Sequence, residues 1–213
     1  MTAPNAAAVP VAEFIDSLAA VSASEWDAVA ATDYPFLRHA FLLGMEETAC
    51  TTAASGWHPC HLLLRREGKL VALLPLYLKS HSYGEYVFDW SWADAWQRSG
   101  LSYYPKLVSA IPFTPATGPR LCVAAGEDSS ALWDCALAAI RRFADARGLS
   151  SWHLLFPEED PSPRLLAAGL PQRMSTQFHW FNEGYHSFDD FLGTFVSRKR
   201  KNLRRERERV GQQ

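Results

Sequence analysis

Residues 57–79 read WHPCHLLLRREGKLVALLPLYLK, and this stretch decides the fold class. Two apolar runs, residues 57–65 and 70–79, flank Arg66-Glu67-Gly68-Lys69, the pattern of a β-hairpin. The second run is apolar almost without interruption, which predicts a central strand covered on both faces. Pro75 inside it has no N–H for a ladder bond, so a bulge or local splay is expected there.

Upstream, residues 11–30 read as helical, and residues 36–54 read as a helix stopped by Gly56. Downstream, residues 80–119 are dense in aromatics, Pro, Gly and polar side chains. Residues 86–89 are predicted as a short strand there and residues 94–101 as a helix. Residues 120–124 read as a strand. Ser129 is placed to cap a helix running to Arg147, with Gly148 as its stop. Trp133, Leu137, Ile140 and Ala144 give that helix one apolar face. Residues 151–156 read as a strand, Ser162-Pro163 opens a short helix ending at Gly169, and residues 174–181 read as a further strand. Ser187 and Asp190 fit a capping box, and Ser197 offers a second cap before a basic segment. Alternating strands and helices after an early hairpin indicate α/β or mixed α+β architecture.

Composition narrows the classes. With 213 residues, 48% hydrophobic and 21% charged, the chain can bury a sizeable core. It has no run of eighteen apolar residues, so no membrane span is predicted, and residues 1–10 do not look like a secretion signal. Cys50, Cys60, Cys122 and Cys135 are too scattered for a zinc or redox pair; they read as free thiols in a reducing cytoplasm, and no metal is expected. The net charge of −2 hides an asymmetry. Residues 198–209 hold eight Lys and Arg against Glu206 and Glu208, a segment of +6 on a body of −8.

Two groups of motifs carry a family likeness. One is Pro75-Leu76-Tyr77-Leu78-Lys79-Ser80-His81-Ser82-Tyr83-Gly84-Glu85-Tyr86-Val87-Phe88-Asp89, followed by Tyr103-Tyr104-Pro105-Lys106 and Pro112-Phe113-Thr114-Pro115. The other is Gln177-Phe178-His179-Trp180, Gly184-Tyr185, Phe188-Asp189-Asp190-Phe191 and the segment from Ser197 to Arg207. Together they resemble predicted N-acyltransferases related to the FemAB peptidoglycan enzymes, over roughly residues 30–210. The resemblance implies a GNAT-like domain, a mainly antiparallel central sheet flanked by helices. It further implies transfer of an acyl or aminoacyl group from an acyl-CoA or aminoacyl-tRNA donor to an amine on a small molecule or cell-wall precursor, with tRNA as a partner. Such proteins pair two GNAT-like halves. The expected organisation is therefore an N-terminal helical segment (1–30), a first GNAT-like half (31–196) and a basic junction helix (197–213) leading to an absent second half. The Q/R-x-x-G-x-G/A loop that holds the coenzyme A pyrophosphate in ordinary GNAT enzymes is missing from this sequence.

Acyl transfer to an amine needs a proton acceptor, a polarised carbonyl and a stabilised leaving group. Residues 79–89 supply candidates. If residues 81–85 are extended, His81, Tyr83 and Glu85 share one face, with Glu85 the first candidate for the base and His81 the second. Lys79, Tyr83 and Asp89 are candidate substrate contacts; a structural hydrogen-bonding cluster is the competing reading. Lys106 and Arg120 are candidate anion binders or plain surface cations beside turns. His179 shares a strand face with Gln177 and is a candidate contact or a satisfied core histidine. Arg198, Lys199 and Arg200 in a first helical turn oppose the helix dipole unless an anion sits there, so Lys199, Arg200 and Arg204 are candidate phosphate or carboxylate contacts. A solvated charged helix is the alternative. At the level of the whole chain, a nucleic-acid or anion-binding module and a non-catalytic scaffold compete with the transferase.

Overall fold

The computed structural model describes residues 8–30, 33–158 and 162–212. Two compact units divide after Pro171.

The first unit is built on the predicted hairpin. Strands β3 (His61–Arg66) and β4 (Lys69–Leu74) pair antiparallel through a turn at Glu67 and Gly68, whose φ angles of 51° and 81° suit a tight hairpin. The splay expected at Pro75 is present. Before Cys60 and after Pro75 the two chains continue as β2 (Trp57–Pro59) and β5 (Tyr77–Lys79), which belong to a different sheet. One backbone bond, Cys60 N–H to the Leu76 carbonyl at 2.9 Å, bridges the break. The Leu76 N–H, freed from any ladder, is accepted by His61 Nδ1 at 3.2 Å. That bond leaves the proton on Nε2, which donates to Glu46 Oε1 at 3.2 Å. The buried His61 is thus a satisfied structural group.

Strand β1 (Val11–Ile15) lies on the outer edge of β3, and β7 (Cys122–Val123) on the outer edge of β4, giving the order β1-β3-β4-β7. The second sheet runs β2-β5-β6-β8, with β6 (Lys106–Ser109) and β8 (Trp152–Leu154) parallel and every other pairing in both sheets antiparallel. Both sheets place one face on helix α4 (Ser129–Arg147). Leu62, Leu64, Ala72, Leu74 and Leu107 meet Leu132, Trp133, Ala136, Leu137 and Ile140 there. The opposite face of the first sheet buries Leu63, Leu73 and Cys122 under α1 (Ala23–Ala30) and α2 (His39–Glu47). Burial on both faces explains the unbroken apolar runs. Helix α4 is capped by Asp128, one residue earlier than expected, and ends at Gly148 in the left-handed conformation. Helix α3 (Trp90–Arg98) begins four residues before its predicted start, and α5 (Ser162–Ala167) is short as expected.

Three predicted elements are corrected. Within the segment read as helical, Val11–Ile15 forms a strand, and only Ala23–Ala30 is α-helix; residues 1–7 lie outside the described residues. The alternating exposure of Val11 to Phe14 is what an edge strand over a core produces. Residues 86–89 form no strand, because Tyr86 and Phe88 take φ of 60° and 51°. Residues 174–181 have no ladder partner and are exposed along most of their length.

The second unit contains α6 (Phe188–Gly193), capped by Ser187 Oγ on the Asp190 N–H at 3.1 Å, and α7 (Ser197–Val210). Ser197 is not a cap. It is the first helical residue, and Val196 before it offers no side-chain acceptor.

Candidate functional site

The face of the second sheet turned away from α4 holds the candidate site. In register, Trp57 stands opposite Lys79, and Lys79 opposite Lys106. Both lysines are fully buried. Like charges directly opposed on one sheet face repel, and burial adds a desolvation cost. Two devices offset this.

The first is a pair of carboxylates delivered by the loop after β5. Lys106 Nζ donates to Asp89 Oδ2 at 2.6 Å, Glu85 Oε2 at 2.8 Å and Ser82 Oγ at 2.9 Å, which uses all three of its protons. Tyr103 Oη donates to the same Asp89 oxygen at 2.6 Å, and Ser82 Oγ and Tyr104 Oη share a hydrogen at 2.7 Å. Burial opposes the Asp89 charge, but hydrogen bonds from Lys106 and Tyr103 outweigh it and hold this carboxyl down at about 2. Glu85 goes the other way: desolvation raises it despite the Lys106 charge.

The second device serves Lys79. Its Nζ lies 3.6 Å from the centroid of the Trp57 ring and donates to the Tyr83 carbonyl at 3.1 Å. Trp57 Nε1 donates to that same carbonyl, also at 3.1 Å. Among the described residues no carboxylate pairs with Lys79 directly. Desolvation therefore dominates and lowers its pKa to about 7, with the Lys106 charge adding to the fall and Glu85 and Asp89 opposing it.

The loop at 80–89 alternates around these contacts. Ser82, Glu85 and Asp89 point in and are buried, whereas Tyr83, Tyr86 and Phe88 are exposed. Gly84 takes φ of 80° and passes so close to Phe113 that a Cβ there would meet ring carbon Cδ1 at 2.5 Å. His81 packs over Gly56 and accepts the Tyr83 N–H on Nδ1 at 3.2 Å. Desolvation, then Lys79, lowers its pKa. His81, Tyr83 and Glu85 therefore share no common face, because residues 81–85 turn rather than extend. Glu85 is tied to Lys106, whereas Tyr83 is exposed and its ring meets that of the half-buried His81 at 5.1 Å.

Lys106 is no surface cation but the hub of the buried network. Arg120 is also buried, and its guanidinium donates to the carbonyls of Leu155 (2.8 Å), Ala116 (2.8 Å), Pro119 (2.9 Å) and Gly118 (3.0 Å). Those donors pin the 116–120 loop and are spent. His179 is exposed beside Phe181, neither core nor strand. On α7, Arg200 Nη2 donates to the Phe195 carbonyl at 2.9 Å, at the C-terminal side of α6, where a cation is favourable. Arg204 pairs with Asp189 at 3.0 Å, Lys199 lies 5.0 Å from the Phe195 ring, and Arg207 covers Phe188. The side chains of Arg198, Lys201, Arg205 and Arg209 make no ion pair or hydrogen bond among the described residues. Their spacing puts these four on one side of the helix, away from those turned to α6. Ser197, Arg200, Lys201, Arg204, Arg205 and Glu208 line a concavity of about 430 Å³.

The N-terminus of α4 is the natural place to look for a pyrophosphate cradle. The amides of its second and third residues, Ser130 and Ala131, are taken by Asp128 Oδ1 at 2.8 and 3.3 Å, and Glu127 stands beside it paired to Arg66. Two carboxylates at that end do not fit an incoming pyrophosphate. Among the described residues no cluster of His, Cys, Asp and Glu could hold a metal, and no helix is long and apolar enough to cross a membrane.

Comparison with known proteins agrees on the fold. The aminoglycoside N-acetyltransferase AAC(6')-Iy, solved with CoA, aligns over 86% of this chain and 100% of its own, at 10% identity and a TM-score of 0.50. A ribosomal-protein-alanine N-acetyltransferase from Brucella melitensis gives 0.47 at 12% identity over 82% and 99%. The aminoglycoside 6'-N-acetyltransferase AAC(6')-Ih from Acinetobacter baumannii gives 0.46 at 13% over 83% and 99%. No curated protein matches the sequence. The fold is that of the GNAT acetyltransferases. The FemAB-like family, described as peptidoglycan biosynthesis/recognition, matches residues 17–213 and does not bear out the reading of the chain as an N-terminal half. With the GNAT fold carrying that match along nearly its whole length, the chain belongs to the FemAB-like family.

Proposed function

We propose that this protein is an N-acyltransferase acting in the cytoplasm on the amine of a cell-wall precursor. The observation that carries this is the family match over residues 17–213. The acyl donor is an acyl-CoA or an aminoacyl-tRNA. The carboxylates of Asp128 and Glu127 weigh against a pyrophosphate at the N-terminus of α4 itself. The assay incubates the purified chain with amine-bearing muropeptides and either acetyl-CoA or a set of aminoacyl-tRNAs, and reads amide product by mass spectrometry. Failure of folded protein to form amide with either donor class removes the proposal.

A second reading, polyphosphate binding along α7, is favoured by the unpaired stripe of Arg198, Lys201, Arg205 and Arg209. Four phosphate contacts on single-stranded RNA would give a log K against log salt slope of about −3. Replacing the four with Gln should flatten that slope; an unchanged slope, or no RNA binding at low salt, rules the stripe out.

A further inference from the structure

Glu85 and Asp89 each present one oxygen to Lys106 and keep the other, Oε1 and Oδ1, buried with no hydrogen-bond partner. A buried carboxylate oxygen without a partner keeps its desolvation cost uncompensated, so an arrangement that leaves two calls for a donor. Both acids belong to a short loop that also contains two bulky residues in the left-handed region, Tyr86 and Phe88, with their aromatic rings in solvent. Strain of that kind is released if the loop rearranges.

Accepting the acyl-transfer reading above, we propose that the 80–89 loop is a lid, that Glu85 Oε1 and Asp89 Oδ1 receive the primary ammonium of the acceptor beneath it, and that Lys79 is the base. Glu85, the first candidate from sequence, is a poor base because Oε2 is committed to Lys106. Lys79 lies next to Lys106 across the strands, is removed from water, and keeps a single hydrogen bond, to the Tyr83 carbonyl. Desolvation beside a second cation is the setting that yields a neutral, proton-accepting lysine.

Charge balance supports the same assignment. Lys106 with two carboxylates carries one net negative charge. In the closed protein Lys79 neutralises it only below about pH 7, where it holds its proton. When an ammonium enters, the cluster stays neutral only if Lys79 is the free amine. The acceptor's charge thus replaces the one that Lys79 gives up. In the reaction the ammonium passes one proton to Lys79 Nζ. The nitrogen lone pair then attacks the carbonyl carbon of the acyl thioester or ester, forming C–N. The C–S or C–O bond breaks with its electron pair on the leaving atom, and the second nitrogen proton goes to that atom. Lys79 returns its proton to solvent.

The test reads Lys79 directly, independent of turnover. Trace acetic anhydride is applied from pH 5.5 to 9.5, and labelling of Lys79 is compared by mass spectrometry with the exposed Lys69. Labelling of Lys79 with a midpoint near pH 7, moved to lower pH by ethylamine as its ammonium takes the place of the Lys79 charge, is the expected result. Glu85→Gln or Asp89→Asn should raise the ethylamine needed at least tenfold. A Lys79 that stays unlabelled to pH 9.5 while Lys69 reacts, or whose midpoint ethylamine does not lower, overturns the lid and the ammonium site. Where turnover is measured, Lys79→Met should lower kcat by more than a hundredfold. A Lys79→Met enzyme that keeps the rate and its acid limb near pH 7 defeats the base assignment and leaves the transferase reading standing.

Discussion

Replacing Lys79 with methionine should make the protein more stable, and by an amount that depends on pH. The side chain is fully buried, and its pKa falls from 10.5 to about 7. At 1.36 kcal/mol per unit, that fall corresponds to about 5 kcal/mol of burial cost while Lys79 is charged. Between pH 7 and 10.5 the unfolded chain binds this proton and the folded chain does not. Stability therefore rises with pH across that window, with a slope approaching about 1.4 kcal/mol per unit. Neighbouring titrations define the usable range. His81 is lowered from 6.5, so its contribution is complete by pH 7. Burial pushes Cys60 and Cys122 from 9.0 up to about 12, so above pH 9 they pull stability down. From pH 7.0 to 8.5 the wild type should gain about 2 kcal/mol in urea unfolding, and Lys79→Met should stay flat. At pH 7 the variant should be the more stable by roughly 3 kcal/mol, less than the full figure because the contact with Trp57 is lost. The Tyr83 carbonyl is not orphaned by the change, since Trp57 Nε1 still donates to it. Equal slopes in the two proteins, or a variant less stable than wild type at pH 7, would refute the picture of a desolvated, weakly partnered lysine.

Lys106 is the opposite case. Lys106→Met leaves two carboxylates buried without their cation and should cost about 3–5 kcal/mol in chemical denaturation, partly restored when Glu85→Gln is added. Asp89 gives the acid limb. Its pKa is held at about 2 against an ordinary 3.8, so its contribution of about 2 kcal/mol is present above pH 3.8 and disappears as pH falls through 2. Acid titration of stability should show that loss in wild type and not in Asp89→Asn.

The frame of the fold was legible because the hairpin at 57–79 carries both of its signals locally, the apolar runs and the Glu67-Gly68 turn. Pro75 even marked where the pair divides between two sheets. Strand β1 was not legible, since Val-Ala-Glu-Phe-Ile suits a helix as well as an edge strand and the choice is made by β3, fifty residues away. Residues 174–181 failed for the converse reason: β-prone residues make a strand only where a neighbour offers a ladder.

The site was half legible. Glu85, Asp89 and Lys79 were legible as substrate contacts or a hydrogen-bonding cluster, and Lys106, apart from them, as an anion binder or a surface cation. What sequence did not reveal is that two lysines, each at the edge of an apolar strand, are register partners. Pairing is a property of β5 against β6, twenty-seven residues apart, and it converts two surface-like cations into a buried pair that needs acids. A signal was nevertheless present. Glu85 and Asp89 lie in a loop otherwise rich in aromatics, between two apolar strands that each carry one lysine, and acids in such company seldom remain exposed. On α7 the missing ingredient was again a partner. The first-turn cations looked unfavourable against the helix's own dipole, but Arg200 answers the carbonyls of α6, and Arg204 answers Asp189. A run of eight like charges thereby divides into those that build the unit and a stripe of four that does not.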